Sequence, residues 1–321
     1  MTSKHPVCRA LEPDIVATAM DEALPASRER VHKHVGFCAT CRSDLDKYRS
    51  IDQLAEAMRR APVRDDRGET VRGELERRLS DLRRRMVTCR VWNSPVGPLL
   101  IARSEEGVVA VEYLDTAHLS ASRLPRLLDI DLVEEGAETE PFYQQLLEYL
   151  RGERTRLAWP LDLRLARSDF HREVLKATAA LPYGAVTSYG RIALEIGKPS
   201  AVRAVAQALR WNPLPIVVPC HRVIGGTGAL TGYAGDKLAL KERLLTLEGV
   251  PTVHGARDTR VRRDTMYVRA DRDVEYCLPT CGSLPSVPLA RLTLFGSRAR
   301  AEASGLAPCT SCRPDLHPLS A

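Results

Sequence analysis

Apolar positions recur with helical spacing through the first 55 residues, at Ile15, Val16, Ala19, Met20 and Leu24, and again from Val31 through Val35 to Leu45. Residues 56–86 break that pattern. They are dominated by arginine and acidic residues, and Leu75, Leu79 and Leu82 leave only a thin apolar stripe, which predicts an exposed helical linker. From Thr88 the runs become short and extended. Residues 89–92, 98–102 and 108–113, divided by Ser94-Pro95-Val96-Gly97 and Glu105-Glu106-Gly107, predict a small antiparallel sheet. Helical periodicity returns at 141–150, 169–181, 189–196 and 201–211. The last two are joined by Gly197-Lys198-Pro199-Ser200, a short turn with Ser200 placed to cap the second helix, the layout of a helix-turn-helix.

A length of 321 residues exceeds one ordinary domain and predicts two or three. With 44% hydrophobic and 27% charged residues, the chain falls in the globular range, away from disordered or fibrous composition. No run approaches the roughly 18 apolar residues of a membrane helix, and the start lacks the apolar core of a signal peptide. The expectation is a cytoplasmic protein with no membrane contact. The net charge of +6 is unevenly spread. Residues 87–160 hold 7 basic against 12 acidic side chains, whereas residues 161–249 hold 12 basic against 7 acidic. The second stretch is therefore the candidate for a polyanionic partner.

Nine cysteines in a chain expected to stay in a reducing compartment read as metal ligands or nucleophiles before disulfides. His34, Cys38 and Cys41 are spaced i, i+4, i+7, which places them on one helical face, and Cys8 supplies a fourth ligand. Cys277 and Cys281 pair with Cys309 and Cys312 across 27 intervening residues, a spacing suited to tetrahedral thiolate zinc. Two structural zinc sites and no organic cofactor are predicted. His32 falls on a different face and reads as surface, and Cys89 as a buried strand residue. Cys220 ends the apolar run Ile216-Val217-Val218-Pro219 and is followed at once by His221. That dipeptide alone is open between a nucleophile beside its base and a core cysteine beside a surface histidine.

The surrounding residues resemble the O6-alkylguanine-DNA alkyltransferases over about 87–249. The resemblance rests on Leu181-Pro182-Tyr183-Gly184, Ser188-Tyr189, Ala201-Val202-Arg203-Ala204-Val205, Asn212-Pro213, Pro219-Cys220-His221-Arg222-Val223, Thr231-Gly232-Tyr233-Ala234-Gly235 and Leu247-Glu248-Gly249. It implies single-turnover transfer of an alkyl group from O6-alkylguanine, and in some cases O4-alkylthymine, in double-stranded DNA to Cys220. His221 is then the base, acting through a water, with Glu248 orienting it and Asn212 bracing the active-site turn. Arg203 is the finger that replaces the extruded base, Tyr189 crowds the target phosphate, and the flipped base meets the carbonyls of Cys220 and Val223, the ring of Tyr233 and the amide of Ala234. Trp211, where a smaller residue is frequent, is read as packing ahead of stacking on DNA.

The C-terminal cysteines and Ser304-Gly305-Leu306-Ala307-Pro308-Cys309 resemble the zinc-binding methyl-acceptor domain of Ada-type proteins, in which the first cysteine, here Cys277, takes a methyl from a DNA phosphotriester. Leu278 and Gly282 stand where that family has phosphate-contacting arginines, so Cys277 is open between acceptor and plain ligand. The N-terminal cluster resembles zinc-binding anti-sigma-factor domains, which implies a sigma factor or other protein partner for residues 1–55.

The expected fold is multidomain α+β. It comprises a zinc-bound helical domain (1–55), a charged helical linker (56–86), a small sheet-plus-helices subdomain (87–160), a helix-turn-helix catalytic subdomain (161–252) and a tetracysteine zinc module (253–321), acting as a monomer. The alternative reading is an alkylation- or redox-responsive transcription regulator working through its zinc modules.

Overall fold

The computed structural model describes residues 5–60, 65–116, 118, 124, 130–256, 258–270, 273–284 and 287–319. The chain divides into two compact units, Met1–Leu82 and Arg83–Ala321.

The first unit is built from α1 (Pro6–Ala19), α2 (Pro25–Phe37) and α3 (Ala39–Arg60). Proline opens both α1 and α2, where its missing N–H costs nothing and its fixed φ suits the first turn. Ile15, Ala19, Val31, Cys41 and Leu45 form a small core, in line with the expected helical periodicity. One expectation is corrected. His34, Cys38 and Cys41 do not share one continuous helix, because Cys38 takes an extended conformation (φ −104°, ψ 103°) between α2 and α3. The break turns the chain so that ligands from both helices and from α1 can converge. Helix α4 (Asp65–Arg85) follows, with Leu79 and Leu82 exposed as the thin stripe predicts; residues 61–64 of the expected linker lie outside the described residues.

The second unit opens with a four-stranded sheet of β1 (Met86–Ser94), β2 (Gly97–Arg103), β3 (Val108–Tyr113) and β4 (Asp131–Glu134), in the order β3-β2-β1-β4. The first three strands are antiparallel as expected, and β4 adds in parallel to β1. Gly97, at φ 99°, permits the β1–β2 turn, which Ser94 closes by donating to the Gly97 carbonyl at 2.6 Å. Helix α5 (Glu140–Leu150) buries Leu146 and Tyr149 in the same core as Leu99, Ile101 and Val111.

Helix α6 (Asp169–Ala179) and strand β5 (Ala185–Ser188) lead into the helix pair α7 (Tyr189–Glu195) and α8 (Val202–Arg210). Ser168 caps α6 and Ser188 caps α7 through side-chain bonds to backbone N–H groups, each worth about 0.5–2 kcal/mol. Ser200 does not cap α8 as expected. Ala201 donates to the Lys198 carbonyl, the turn runs one residue longer, and Ala201 itself is the cap, without a side-chain bond. Strand β6 (Val223–Ile224) and helix α9 (Leu238–Leu247) complete this part.

The remaining elements are the hairpin β7 (Thr252–His254) and β8 (Thr259–Val261), then β9 (Tyr267–Ala270), β10 (Glu275–Tyr276), β11 (Leu292–Phe295), α10 (Arg298–Ala303) and β12 (Ala307–Pro308). They do not form a separate bead after residue 252. Strands β9 and β11 extend the β5–β6 pair into one sheet, ordered β6-β5-β11-β9. All four residues of β5 are buried, so its second edge needs a partner for its N–H and C=O groups, and β11 supplies it. One hydrophobic core accordingly mixes Val186, Ile224 and Leu245 with Val268, Leu294 and Cys277. Among the described residues no helix is long and apolar enough to cross a membrane.

Candidate active site

Cys220 lies at the start of a single 3₁₀ turn between the apolar run 214–218 and β6, and only 7% of it is exposed. The Asn212 amide donates to Cys220 Sγ at 3.2 Å and to the Val218 carbonyl at 2.9 Å, while its Oδ1 accepts from Leu214 N–H at 2.9 Å. Asn212 thus ties three points of the loop. It lies one residue beyond Trp211, the C-cap of α8, so its work is in the loop and not at the helix end. The loop is strained. Ile216, a β-branched residue, sits at φ 72°, a conformation that costs about 1–3 kcal/mol and persists only where its surroundings impose it.

Glu248, at the end of α9, is the hub behind the cysteine. Its Oε1 accepts from His221 Nε2 at 2.7 Å, from Arg222 Nη2 at 3.0 Å and from the Tyr149 hydroxyl; its Oε2 accepts from Arg222 Nε at 2.8 Å and from Gly184 N–H at 3.0 Å. Burial works to raise this carboxyl, but His221 and Arg222 outweigh it and hold Glu248 ionised, far below its ordinary value. His221 is driven the other way, since burial lowers it more than Glu248 raises it. An ionised Glu248 on Nε2 assigns the proton of a neutral imidazole to that nitrogen and leaves Nδ1 as the basic one. Nδ1 is buried and has no hydrogen-bond partner among the described residues. Burial also raises the Cys220 thiol, opposed by the Asn212 bond and the charge of Lys241. A thiol that resists ionisation needs a base, and a free basic nitrogen sits on the next residue.

The other expected site residues surround this pair. Tyr233 is buried, its ring edge-on to His221 with centroids 6.2 Å apart and its hydroxyl 2.9 Å from that of Tyr113. Ala234 is exposed at φ 41° in the turn beside it. Tyr189, first residue of α7, receives a hydrogen bond from Thr231 at 3.2 Å. Arg203 is exposed in the first turn of α8, next to Val202 and Ala204, while Val205, Ala208 and Leu209 face the core. Trp211 is 38% exposed, with the Arg167 guanidinium carbon 3.7 Å from its ring centroid, which fits the packing reading. The Val223 carbonyl accepts from Lys241 at 2.6 Å.

Residues 169–250 match the family model for the DNA binding domain of 6-O-methylguanine DNA methyltransferase, and residues 87–163 match the model for its ribonuclease-like domain. A methylated-DNA–protein-cysteine methyltransferase of Methanosarcina acetivorans is 39% identical over 165 residues, covering 50% of this chain and 96% of that protein. The chain belongs to the methylated-DNA–protein-cysteine methyltransferase family. The constitutive enzyme of Bacillus subtilis is also 39% identical, over 157 residues that span 49% of this chain and 92% of the relative. A solved structure of Mycobacterium tuberculosis OGT in complex with DNA shares 40% identity, covers 50% of this chain and 92% of that one, and has a TM-score of 0.43. Family membership favours the alkyltransferase reading over that of a transcription regulator.

Two groups of this methyltransferase lie outside the matched stretch. Cys8, His34, Cys38 and Cys41 form one cluster, and Cys277, Cys281, Cys309 and Cys312 the other; within each, the ligand atoms lie within 4.8 Å of one another. Cys8 Sγ is 3.6 Å from His34 Nε2 and 3.9 Å from Cys38 Sγ. A tetrahedron of ~2.3 Å metal–sulfur bonds has edges of about 3.8 Å, so both donor sets are gathered closely enough to share one metal ion each.

Sequence reasoning missed Lys241. It is fully buried on α9, and its Nζ donates to the carbonyls of Val223 at 2.6 Å and Thr231 at 2.8 Å. Burial brings it down to about 8, so it bridges the two strands of chain that frame Cys220 and His221 at the edge of neutrality. A signal was present: positions 241, 244, 245 and 248 share one helical face, and a lysine on a face otherwise carrying Leu244 and Leu245 must be satisfied from within. Tyr149 and Arg222, which complete the set around Glu248, were also not singled out.

Proposed function

We propose that this chain repairs duplex DNA by moving the alkyl group of O6-alkylguanine, and of O4-alkylthymine where it fits, onto Cys220. The observation that carries this reading is the contact set Asn212–Cys220 and His221–Glu248, with the Nδ1 of His221, the residue after the cysteine, left without a partner among the described residues. The Cys220 proton passes to Nδ1 through a water, the thiolate attacks the alkyl carbon, the carbon–oxygen bond breaks and its electron pair returns to guanine. The thiol proton ends on the guanine ring, so the step is balanced without a cofactor. The new thioether is too stable to leave, and each chain acts once.

The target carbon is inaccessible inside a duplex, and extruding the nucleotide costs a few kcal/mol. Arg203, from the exposed first turn of α8, takes the vacated place in the stack, and Tyr189 pushes the phosphate. The small Ala204 beside it suits entry into a minor groove. The extruded base is received by the carbonyls of Cys220 and Val223, the Tyr233 ring and the Ala234 amide. Arg203→Ala is expected to slow transfer from duplex O6-methylguanine by about 10–100-fold, since it removes a few kcal/mol of compensation for flipping. Transfer from an O6-alkylated free guanine base should stay within about twofold. Equal losses on both substrates would remove Arg203 from this role.

Both clusters hold zinc in this reading, supported by donor sets of three thiols with one imidazole and of four thiols. Elemental analysis of the purified chain should give two zinc ions per chain; one or none would make an end cluster vestigial. Cys277 is the proposed second methyl acceptor, for phosphotriesters. Residues 1–55 are proposed to dock a protein partner of the sigma-factor type, for which exposed Phe37, Ile51 and Met58 offer apolar anchors. A monomeric, cytoplasmic protein fits these roles. Peptide mapping by mass spectrometry, after mixing with duplexes carrying O6-methylguanine and methylphosphotriesters, tests the whole. Methyl on Cys220 alone supports single-lesion repair, methyl on Cys220 and Cys277 supports both, and methyl on neither overturns the reading.

A further inference from the structure

Gly184 is held from both sides. Its N–H donates to Glu248 Oε2 at 3.0 Å, and its carbonyl accepts from Gly296 N–H at 2.9 Å. Gly184 stands at φ 71°, and a Cβ there would lie 2.9 Å from both the Glu248 carbonyl oxygen and Arg300 Cγ. A Cβ on Gly296 would lie 2.2 Å from the Gly249 carbonyl oxygen. Arg300 also lies over Tyr183, its guanidinium carbon 4.4 Å from the ring centroid, and the Tyr183 hydroxyl donates to the Leu247 carbonyl at 3.1 Å. Both segments that set the position of Glu248, 183–184 and 247–249, are therefore covered by residues 296–300. Those residues lie beyond the 87–163 and 169–250 stretches that match the family models.

The same cover is tied to the tetracysteine cluster. Cys277 and Val268 exchange both backbone hydrogen bonds, at 2.9 and 2.8 Å, Val268 lies opposite Leu294, and Leu294 lies opposite Val186 on β5. One row across the sheet thus runs from a cluster cysteine to the strand that ends at the cap of α7. Helix α10, which carries Arg300, is anchored too: Glu302 accepts from the Tyr276 hydroxyl at 2.9 Å, and the Tyr276 carbonyl accepts from Cys309 N–H at 3.0 Å. The segment that does this is otherwise made of strands of two to four residues, too short to hold their places by pairing alone.

We propose that the tetracysteine cluster, loaded with a thiophilic divalent metal, clamps the catalytic relay, with Gly296 and Arg300 acting as positioning residues for Glu248 and through it for His221. The metal takes no part in the transfer to Cys220. Because no preformed site exists in an unfolded chain, metal binding and ordering of the strands and helix tied to the four cysteines are one equilibrium, and the ordered form holds the hub. The effect on rate rests on the reading of Cys220 as alkyl acceptor; the effect on local order does not.

The test uses the full chain and two variants. Cys312→Ser removes one ligand of this cluster and leaves the N-terminal one intact, so metal content should fall by one ion per chain. Hydrogen exchange read by mass spectrometry should then quicken in peptides covering 181–188 and 244–250. Single-turnover transfer should slow on the order of 10-fold, with its pH profile displaced because the partner of His221 has moved. Arg300→Ala should keep both metals, loosen the same peptides and shift the same pH profile, and Arg300→Lys should restore much of both by returning a cation to the Tyr183 face. Loss of the metal with unchanged exchange and rate overturns the clamp. So does an Arg300→Ala variant that matches the parent, and this arm decides the matter if Cys312→Ser does not fold. A parent chain that never methylates Cys220 would sink the functional reading alone, since exchange would still report the clamp.

Discussion

Cys220→Ala is expected to abolish transfer of methyl from O6-methylguanine to the chain while leaving affinity for the same duplex within about twofold. Cys220 is held by the Asn212 amide and directly precedes His221, whose Nδ1 has no other partner among the described residues, so the reaction is assigned to this thiol. The loss should therefore be complete, since a mutated acceptor cannot be replaced by slower chemistry at the same site. Binding should survive because Arg203 and Tyr189 sit on α8 and α7, and the loop keeps its brace: Asn212 still holds Leu214 and Val218 when the sulfur is gone. Alanine in a site closed to solvent removes one sulfur and strands only the amide bond from Asn212. Intact mass after incubation reads the transfer, and fluorescence anisotropy with a labelled duplex reads the binding. A methylated Cys220→Ala chain would place the acceptor elsewhere, and a variant that no longer binds would tie the thiol to DNA recognition.

The second large effect belongs to Glu248. Glu248→Ala leaves Arg222 buried without its counter-charge and frees His221, Tyr149 and Gly184 from their acceptor. Removing one partner of a buried ion pair costs about 3–5 kcal/mol, which for a unit of this size lowers the unfolding midpoint by about 10 °C. Transfer should fall by about 10²–10⁴-fold, the usual worth of a positioned base. Glu248→Gln should recover part of the stability and little of the rate, because the amide keeps the shape but cannot fix the protonated nitrogen of His221 as a carboxylate does. A pH dependence follows. The Glu248 carboxyl is held below its ordinary value when folded, so its contribution is complete above about pH 4.3, the ordinary value for glutamate, and is lost as pH falls toward the folded value. Thermal unfolding followed between pH 7 and pH 3 should show the parent losing stability at the acid end more steeply than Glu248→Gln. Parallel curves would contradict the ionised hub.

Lys241 illustrates how much of the site was within reach of the sequence and what hid the rest. Cys220, His221, Glu248 and Asn212 follow from the resemblance to the alkyltransferases, and the contacts 220–212 and 221–248 bring them together. Lys241 was overlooked although its helical face was apolar, because a buried lysine is unexpected until its carbonyl partners, 18 and 10 residues away, are known. Tyr149 lies 99 residues from the Glu248 it donates to, a distance no motif spans. The position of Ser200 just before the second helix predicts a cap, and one additional hydrogen bond in the turn displaces it.

The amino-acid sequence alone determined what depends on residue type and near neighbours: the thiols in two metal-type sets, the helical and extended runs, the helix pair and the basic stretch around it, while its resemblance to a known family singled out Cys220 as the nucleophile. The tertiary structure decided what depends on pairing between distant segments. It broke the helix at Cys38 so that ligands converge from three helices. It joined β11 and β9 to β5, making the C-terminal cysteines part of the catalytic unit where a separate module was expected. The physical reason is that thiol chemistry and helical periodicity are written within a few residues, whereas the unpaired edge of a buried strand can be satisfied by any extended run in the chain, and only folding selects which one.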